Sequence, residues 1–182
     1  MSVLKDKIWL TSKTRMTSER RCQNISHVLN ITVAWYSLLL ILVSIEQLVK
    51  GMSASASALS VIFSVSVFTL SLVIPAVNFS GAAEQFRSCY LNLDRLLTEE
   101  ISDSELARRY HDTLSHYPNH LEFDHDTMIV SSALRGRRLE NADGDLKPTI
   151  FQWAKVVFVH AVALFATVAA LILPIWHVPA LF

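Results

Sequence analysis

The 182-residue chain has four glycines, two cysteines and no excess of charge of either sign. So few glycines leave no glycine-rich phosphate loop, which argues against a nucleotide-binding fold. Lys plus Arg and Asp plus Glu are 16 each, so the basic excess of a nucleic-acid binder is missing. Cys22 and Cys89 form no Cys-x-x-Cys and offer no thiolate metal site. Both fall in stretches read as cytoplasmic, where thiols stay reduced and a disulfide is not expected. No Ser-His-Asp or Cys-His arrangement carries a recognisable local signature, so the chain reads as a non-enzyme with no cofactor. There is no internal repeat and no strand pattern. Charged residues make up 18% of the chain, against roughly a quarter in a soluble domain.

That shortfall is local. Val28–Ile45, Ala58–Val77 and Val156–Ile175 are three runs without Asp, Glu, Lys or Arg. Each is long enough to cross a hydrocarbon core of about 30 Å at about 1.5 Å per residue. A soluble core rarely holds three such runs in so small a chain, because too little amphipathic helix remains to cover them. The first run exceeds the roughly 7–15 residues of a signal-peptide core, so the small residues of Ser53–Ser57 are not read as a cleavage site.

Orientation follows the basic residues. Lys5, Lys7, Lys13, Arg15, Arg20 and Arg21 precede the first span. Arg87, Arg95, Arg108, Arg109, Arg135, Arg137, Arg138, Lys147 and Lys155 lie between the second and third. Only Lys50 falls in the loop between spans one and two. The N-terminus and middle segment are therefore read as cytoplasmic and the C-terminus as outside, with Trp153 and Trp176 at the interfaces of span three. The organisation read from sequence is a basic leader helix (1–27), a transmembrane hairpin (28–78, spans about 28–45 and 58–77), a cytoplasmic helical segment (79–150) and a third span with a short outer tail (151–182).

Beyond span two the pattern stays helical. Phe79, Ala82, Ala83, Phe86, Tyr90, Leu93 and Leu97 recur at three- and four-residue spacing. Span two is thus expected to continue as an amphipathic helix. Its stripe (Phe86, Tyr90, Leu93, Leu97) has little visible partner and is a candidate self-association face. Ser102-Asp-Ser-Glu105 is a capping-box pattern opening a helix with Leu106, Tyr110 and Leu114 in register; Pro118 ends it. A further short helix would turn Ile129, Val130, Ala133 and Leu134 inward, and Asn141-Ala-Asp-Gly-Asp145 reads as a turn and linker. The leader is read as a helix whose basic face lies on the anionic inner leaflet.

Three features invite chemistry. His116, His120 and Asp124 repeat at four, near His111 and His125, a spacing that aligns metal ligands on a helix. Pro118 interrupts that helix, so Asn119, His120 and Asp124 are read as tying a turn. Ser57, Ser60, Ser64 and Ser71, with Ser53 above, form one face of span two. Such a face either packs helices closely or lines an oligomeric pore. His160 is the only ionisable group in span three, and one neutral imidazole near an interface is tolerated.

Taken together, Trp9-Leu-Thr-Ser-Lys-Thr-Arg15 and Glu19-Arg20-Arg21, the tight hairpin of spans, Cys89-Tyr90 with Leu93, and Tyr110 followed by Tyr117-Pro118-Asn119-His120 and Asp124 resemble the SLATT domains. These are two-transmembrane effectors of prokaryotic conflict systems, and the resemblance covers about residues 5–140. It implies an all-α bacterial inner-membrane effector that oligomerises and permeabilises the membrane once a partner senses infection. The sensor would be a separately encoded reverse transcriptase or nucleotide second-messenger synthase, since no sensor domain is fused. It also implies structural roles for Tyr110, Asn119, His120 and Asp124. A third span departs from the family's two.

The expected function is therefore a pore-forming or membrane-disrupting effector of abortive antiphage defence, a homo-oligomer in the lipid bilayer with no direct nucleic-acid binding. The alternatives are an anchor recruiting a soluble enzyme to the inner leaflet and a small transporter. The transporter would need a charged coupling residue at mid-membrane, and the three runs contain none.

Overall fold

A computed structural model of the chain describes residues 3–50, 54–137, 139–141 and 144–177. Ser53, Arg138 and the tail after His177 lie outside the described residues, as do the side chains of Lys50 and Trp176. In chain order the elements are α1 (Val3–Lys50), α2 (Ala54–Val77), α3 (Phe79–Thr98), α4 (Asp103–Ser115), α5 (Glu122–Leu134), β1 (Glu140–Asn141), β2 (Gly144–Asp145) and α6 (Ile150–His177). They form two compact units, Met1–Gln23 with Ser80–His160, and Asn24–Phe79 with Ala161–Phe182.

The first unit is built around the leader part of α1. Ile8 packs with Cys89, Leu93 and Leu96 of α3 and with Leu106 and Tyr110 of α4. Cys22 packs with Ala83 and Phe86. Trp9 and Leu10 cover Met128, Ile129 and Leu139. The leader is therefore a core helix. Two of its cations, Arg15 and Arg21, turn inward to the unit, so these two are not part of an exposed basic face.

The same packing gives the stripe of α3 partners within the chain. Phe86 is 5% exposed and Leu93 fully buried within this one chain, and Tyr90 and Leu97 are half-buried. The leader and α4 supply the partner surface that the stripe alone did not reveal. On α5, Ile129 and Val130 are buried, but Ala133 and Leu134 are exposed, and Asp124, Asp126 and Met128 point inward instead.

Local chemistry sets the element ends. The Ser102 hydroxyl accepts the Glu105 N–H at 3.4 Å and opens α4. The Glu105 carboxylate does not return the bond; it takes Arg108 and Arg109, each at 2.7 Å. Those bonds, Arg108 first, hold its carboxyl down at about 2. Helix α5 closes through Gly136 at φ +65°, whose N–H reaches Ala133 O at 3.0 Å while Arg137 N–H reaches Ser132 O at 3.0 Å. That pairing needs a left-handed residue, which glycine supplies without steric cost. The stretch read as a turn and linker folds as a two-residue antiparallel ladder, Glu140 opposite Asp145 and Asn141 opposite Gly144. The absence of strands is corrected to that extent. Thr149 and Gln152 form a reciprocal capping box that opens α6, with N–H to side-chain bonds of 2.9 and 3.2 Å.

In the second unit, proline chemistry explains how α1 holds α6. Pro174 has no N–H, so the Ala170 carbonyl four residues earlier loses its helical donor. The Tyr36 hydroxyl donates to that carbonyl at 2.9 Å, and the Trp35 indole donates to Leu171 O at 3.1 Å. The Tyr36 ring also lies 5.9 Å from that of Phe63 on α2, so one residue joins three helices. Helix α2 ends at Val77, followed by Asn78 at φ +50°. Asparagine tolerates this left-handed turn better than most residues, so the expected unbroken run into α3 is interrupted there.

Candidate functional site

Leu4, Ile8, Thr11, Ser12, Arg15, Ser18 and Cys22 share one face of α1 at helical spacing. Its two ends are apolar and its middle is polar. Ser12, Arg15 and Ser18 are each at most 1% exposed. Every polar group in this seam meets a residue some 80–110 positions downstream. Ser12 donates to Asp94 at 2.6 Å. Thr11 and the Tyr110 hydroxyl share a bond of 3.0 Å. Arg15 Nη1 donates to the carbonyl of Pro118, and its guanidinium lies 5.6 Å from the Phe86 ring centre.

Asp124 anchors the far end. Its carboxylate, fully buried, accepts Arg21 Nε at 2.6 Å, Arg21 Nη2 at 3.1 Å and the Ser18 hydroxyl at 2.8 Å. It also accepts the Leu121 N–H at 3.1 Å, capping α5. The Asp124 bond pushes the Arg21 pKa up, so the guanidinium stays charged. Burial, reinforced by Arg15, pushes the His120 imidazole below its ordinary range, against the pull of Asp124. Burial raises both the Cys22 and Cys89 thiols, leaving them protonated and inert. Arg15 Nε and His120 Nδ1 are buried without a hydrogen-bond partner.

The structure thus brings together Tyr110, His120 and Asp124 with the leader, whereas Asn119 is exposed. The candidate ligand set disperses. His111 lies beside Tyr110 at 5.3 Å, His116 bonds the Asp112 carbonyl, and Asp124 serves Arg21. Among the described residues no group of three or more His, Cys, Asp and Glu is placed to hold a metal.

A second polar tie joins α5 to the start of α6: buried Asp126 accepts Lys155 at 2.7 Å and Gln152 at 2.9 Å. Lys155 and Gln152 together hold its carboxyl below the usual range despite the opposing effect of burial. His160 bonds the Val156 carbonyl at 2.8 Å and faces the Phe123 ring at 5.9 Å. Ser18, Asp94 and Asp126 were not singled out from sequence, and Ser12, Arg15, Arg21 and Lys155 entered only as motif or basic residues without a partner. The one available signal was the three- and four-residue recurrence of small hydroxyls with arginine in a leader otherwise read as surface.

The serine face lies elsewhere, on α2. Ser60 donates to Ser57 O at 3.1 Å, Ser64 to Ser60 O at 2.8 Å and Ser71 to Phe68 O at 2.7 Å. These hydroxyl protons return to their own helix backbone, while the oxygens stay available as acceptors. Ser64 and Ser71 are exposed, and Ser57 and Ser60 half-buried.

The described residues are almost entirely helical. Among the described residues three helices are long and apolar enough to cross a bilayer, and almost no residue of their most apolar stretches is fully buried within the chain. The chain belongs to the SMODS and SLOG-associating 2TM effector domain family 5, which it matches over residues 1–182. The SLATT resemblance therefore holds, and over the whole length. The family is an effector domain associated with conflict systems and is not a known enzyme family. No curated protein and no solved structure matches the chain. The description counts two transmembrane segments, whereas the described residues contain three helices of membrane length.

Proposed function

We propose that this chain is the membrane effector of a bacterial antiphage system of the abortive-infection kind. On a signal from a separately encoded sensor, a reverse transcriptase or a nucleotide second-messenger synthase, it oligomerises and opens or disrupts the inner membrane. The observation that carries this reading is that the apolar helices keep almost no residue fully buried within one chain, and many large apolar side chains stay exposed. Lipid and further copies are the surfaces that would cover them. The basic residues favour a cytoplasmic N-terminus and an external C-terminus.

Ser57, Ser60, Ser64 and Ser71 are the polar row such an assembly would turn toward a lumen, since ions do not cross an aliphatic wall. Ser60→Leu with Ser64→Leu should abolish depolarisation on induction while insertion and expression persist. Wild-type-like depolarisation with normal assembly would reject this row as a pore wall. A wild-type protein that never depolarises the membrane, even with its partner triggered, would favour the anchor reading. A phosphatase fused after Phe182 should be active; an inactive fusion overturns the orientation.

A further inference from the structure

The seam of the first unit is polar where a permanent helix contact would be apolar. Its ends, at Ile8 and Cys22, are packed like any core. Its middle buries Arg15 at 1% exposure with one carbonyl and one aromatic face as partners. Among the described residues no carboxylate pairs with Arg15 and its Nε is unpartnered; the Asp94 and Asp124 carboxylates lie one helical turn to either side and are held by Ser12, Ser18 and Arg21. A buried cation with no directly paired carboxylate and an unmade hydrogen bond has lost hydration that its contacts only partly replace. Asp124, Arg21 and Ser18 close the same seam with full pairing. The contact therefore combines a well-made lock with a poorly paired neighbour, and it ties residues 15–21 of α1 to residues 118–124.

We propose that the leader–α5 seam is an autoinhibitory latch: Asp124 holds it shut, rehydration of Arg15 favours its opening, and the open state frees α1 for the active membrane form. Control of output rests on the effector function proposed above; the latch itself does not.

The native thiols report on it. Cys89 is fully buried beneath Ile8, and Cys22 is 4% exposed against Ala83 and Phe86, so opening uncovers both. The experiment measures maleimide labelling of full-length protein in detergent under native conditions. Arg15→Met keeps the unbranched stem and removes the charge; labelling should slow about tenfold. Asp124→Asn should speed it about tenfold. Ser18→Ala, a smaller change made in case Asp124→Asn fails to fold, should speed it about threefold. Arg15→Met that labels as fast as wild type or faster overturns the latch.

In cells, Arg15→Met should blunt triggered depolarisation, and Ser18→Ala should raise it without the trigger. Thiols slowed by Arg15→Met with depolarisation unchanged would overturn control of output by the seam. Absence of depolarisation by every form, wild type included, would fail the effector function, while the labelling rates still decide the latch.

Discussion

Asp124→Ala removes one fully buried carboxylate and leaves its four hydrogen bonds unmade. Losing the cap on the Leu121 N–H costs about 1 kcal/mol. The fully buried Ser18 hydroxyl loses its carboxylate acceptor but can turn to the Thr14 carbonyl 3.2 Å away, at a net cost of about 0.5–1.5 kcal/mol. The Arg21 side chain is 25% exposed and can rehydrate, so its bidentate pair is discounted to about 1 kcal/mol. The total, about 2.5–3.5 kcal/mol, is a large part of the roughly 5–15 kcal/mol that holds a domain. At about 2–4 °C per kcal/mol for a chain of this size, the melting midpoint of the first unit should fall by about 10 °C. A thermal ramp read by a thiol-activated dye follows that unit specifically, because Cys22 and Cys89 are both in it. A midpoint within about 2 °C of wild type would refute the reasoning, since it would mean that the seam contributes nothing net.

Three further outcomes are expected. His120 has a lowered pKa in the folded chain, so the unfolded chain binds its proton more readily, and stability should decline as pH falls below about 6.5; the midpoint at pH 5.5 should lie below that at pH 7.5, and His120→Asn should lessen the difference. Tyr36→Phe leaves the Ala170 carbonyl without a donor in apolar surroundings and should cost about 1–2 kcal/mol in detergent unfolding; Pro174→Ala restores the missing N–H and should rescue it, and failure to rescue would refute the proline explanation. Phe86→Asp with Leu93→Asp buries two carboxylates within the chain, so loss of folded protein, seen by far-ultraviolet dichroism and protease digestion, is expected; a folded double variant of lower mass would restore the self-association reading.

What the sequence made legible follows the strength of its physical constraints. Uncharged runs of about 20 residues have few uses besides a bilayer, and all three lie in the three helices of membrane length. Helix α4 was legible because Ser102, Leu106 and Tyr110 obey short-range rules of capping and periodicity. Proline at 118 marked the break before α5 correctly. The ladder at Glu140–Asp145 escaped because two residues per strand leave no alternation to detect.

The seam was illegible for a different reason. Its partners sit about a hundred positions apart, as in Ser18 with Asp124 or Arg15 with Pro118, and short-range patterns do not connect them. A helix rich in Lys, Arg, Ser and Thr reads as solvated, because burying such groups costs free energy unless each finds a partner. Asp124 shows the partner found; Arg15, with a carbonyl and a ring but no carboxylate, shows it only partly found. The stretches around Trp9–Arg15 and Tyr117–Asp124, separate in sequence, are the two sides of this one contact. Their meeting gives the leader a reason to be conspicuous in sequence that a leaflet-binding surface does not supply. A surface needs only positive charge, which Lys or Arg at any position provides, whereas the seam needs Ser12, Arg15, Ser18 and Arg21 each at its own position.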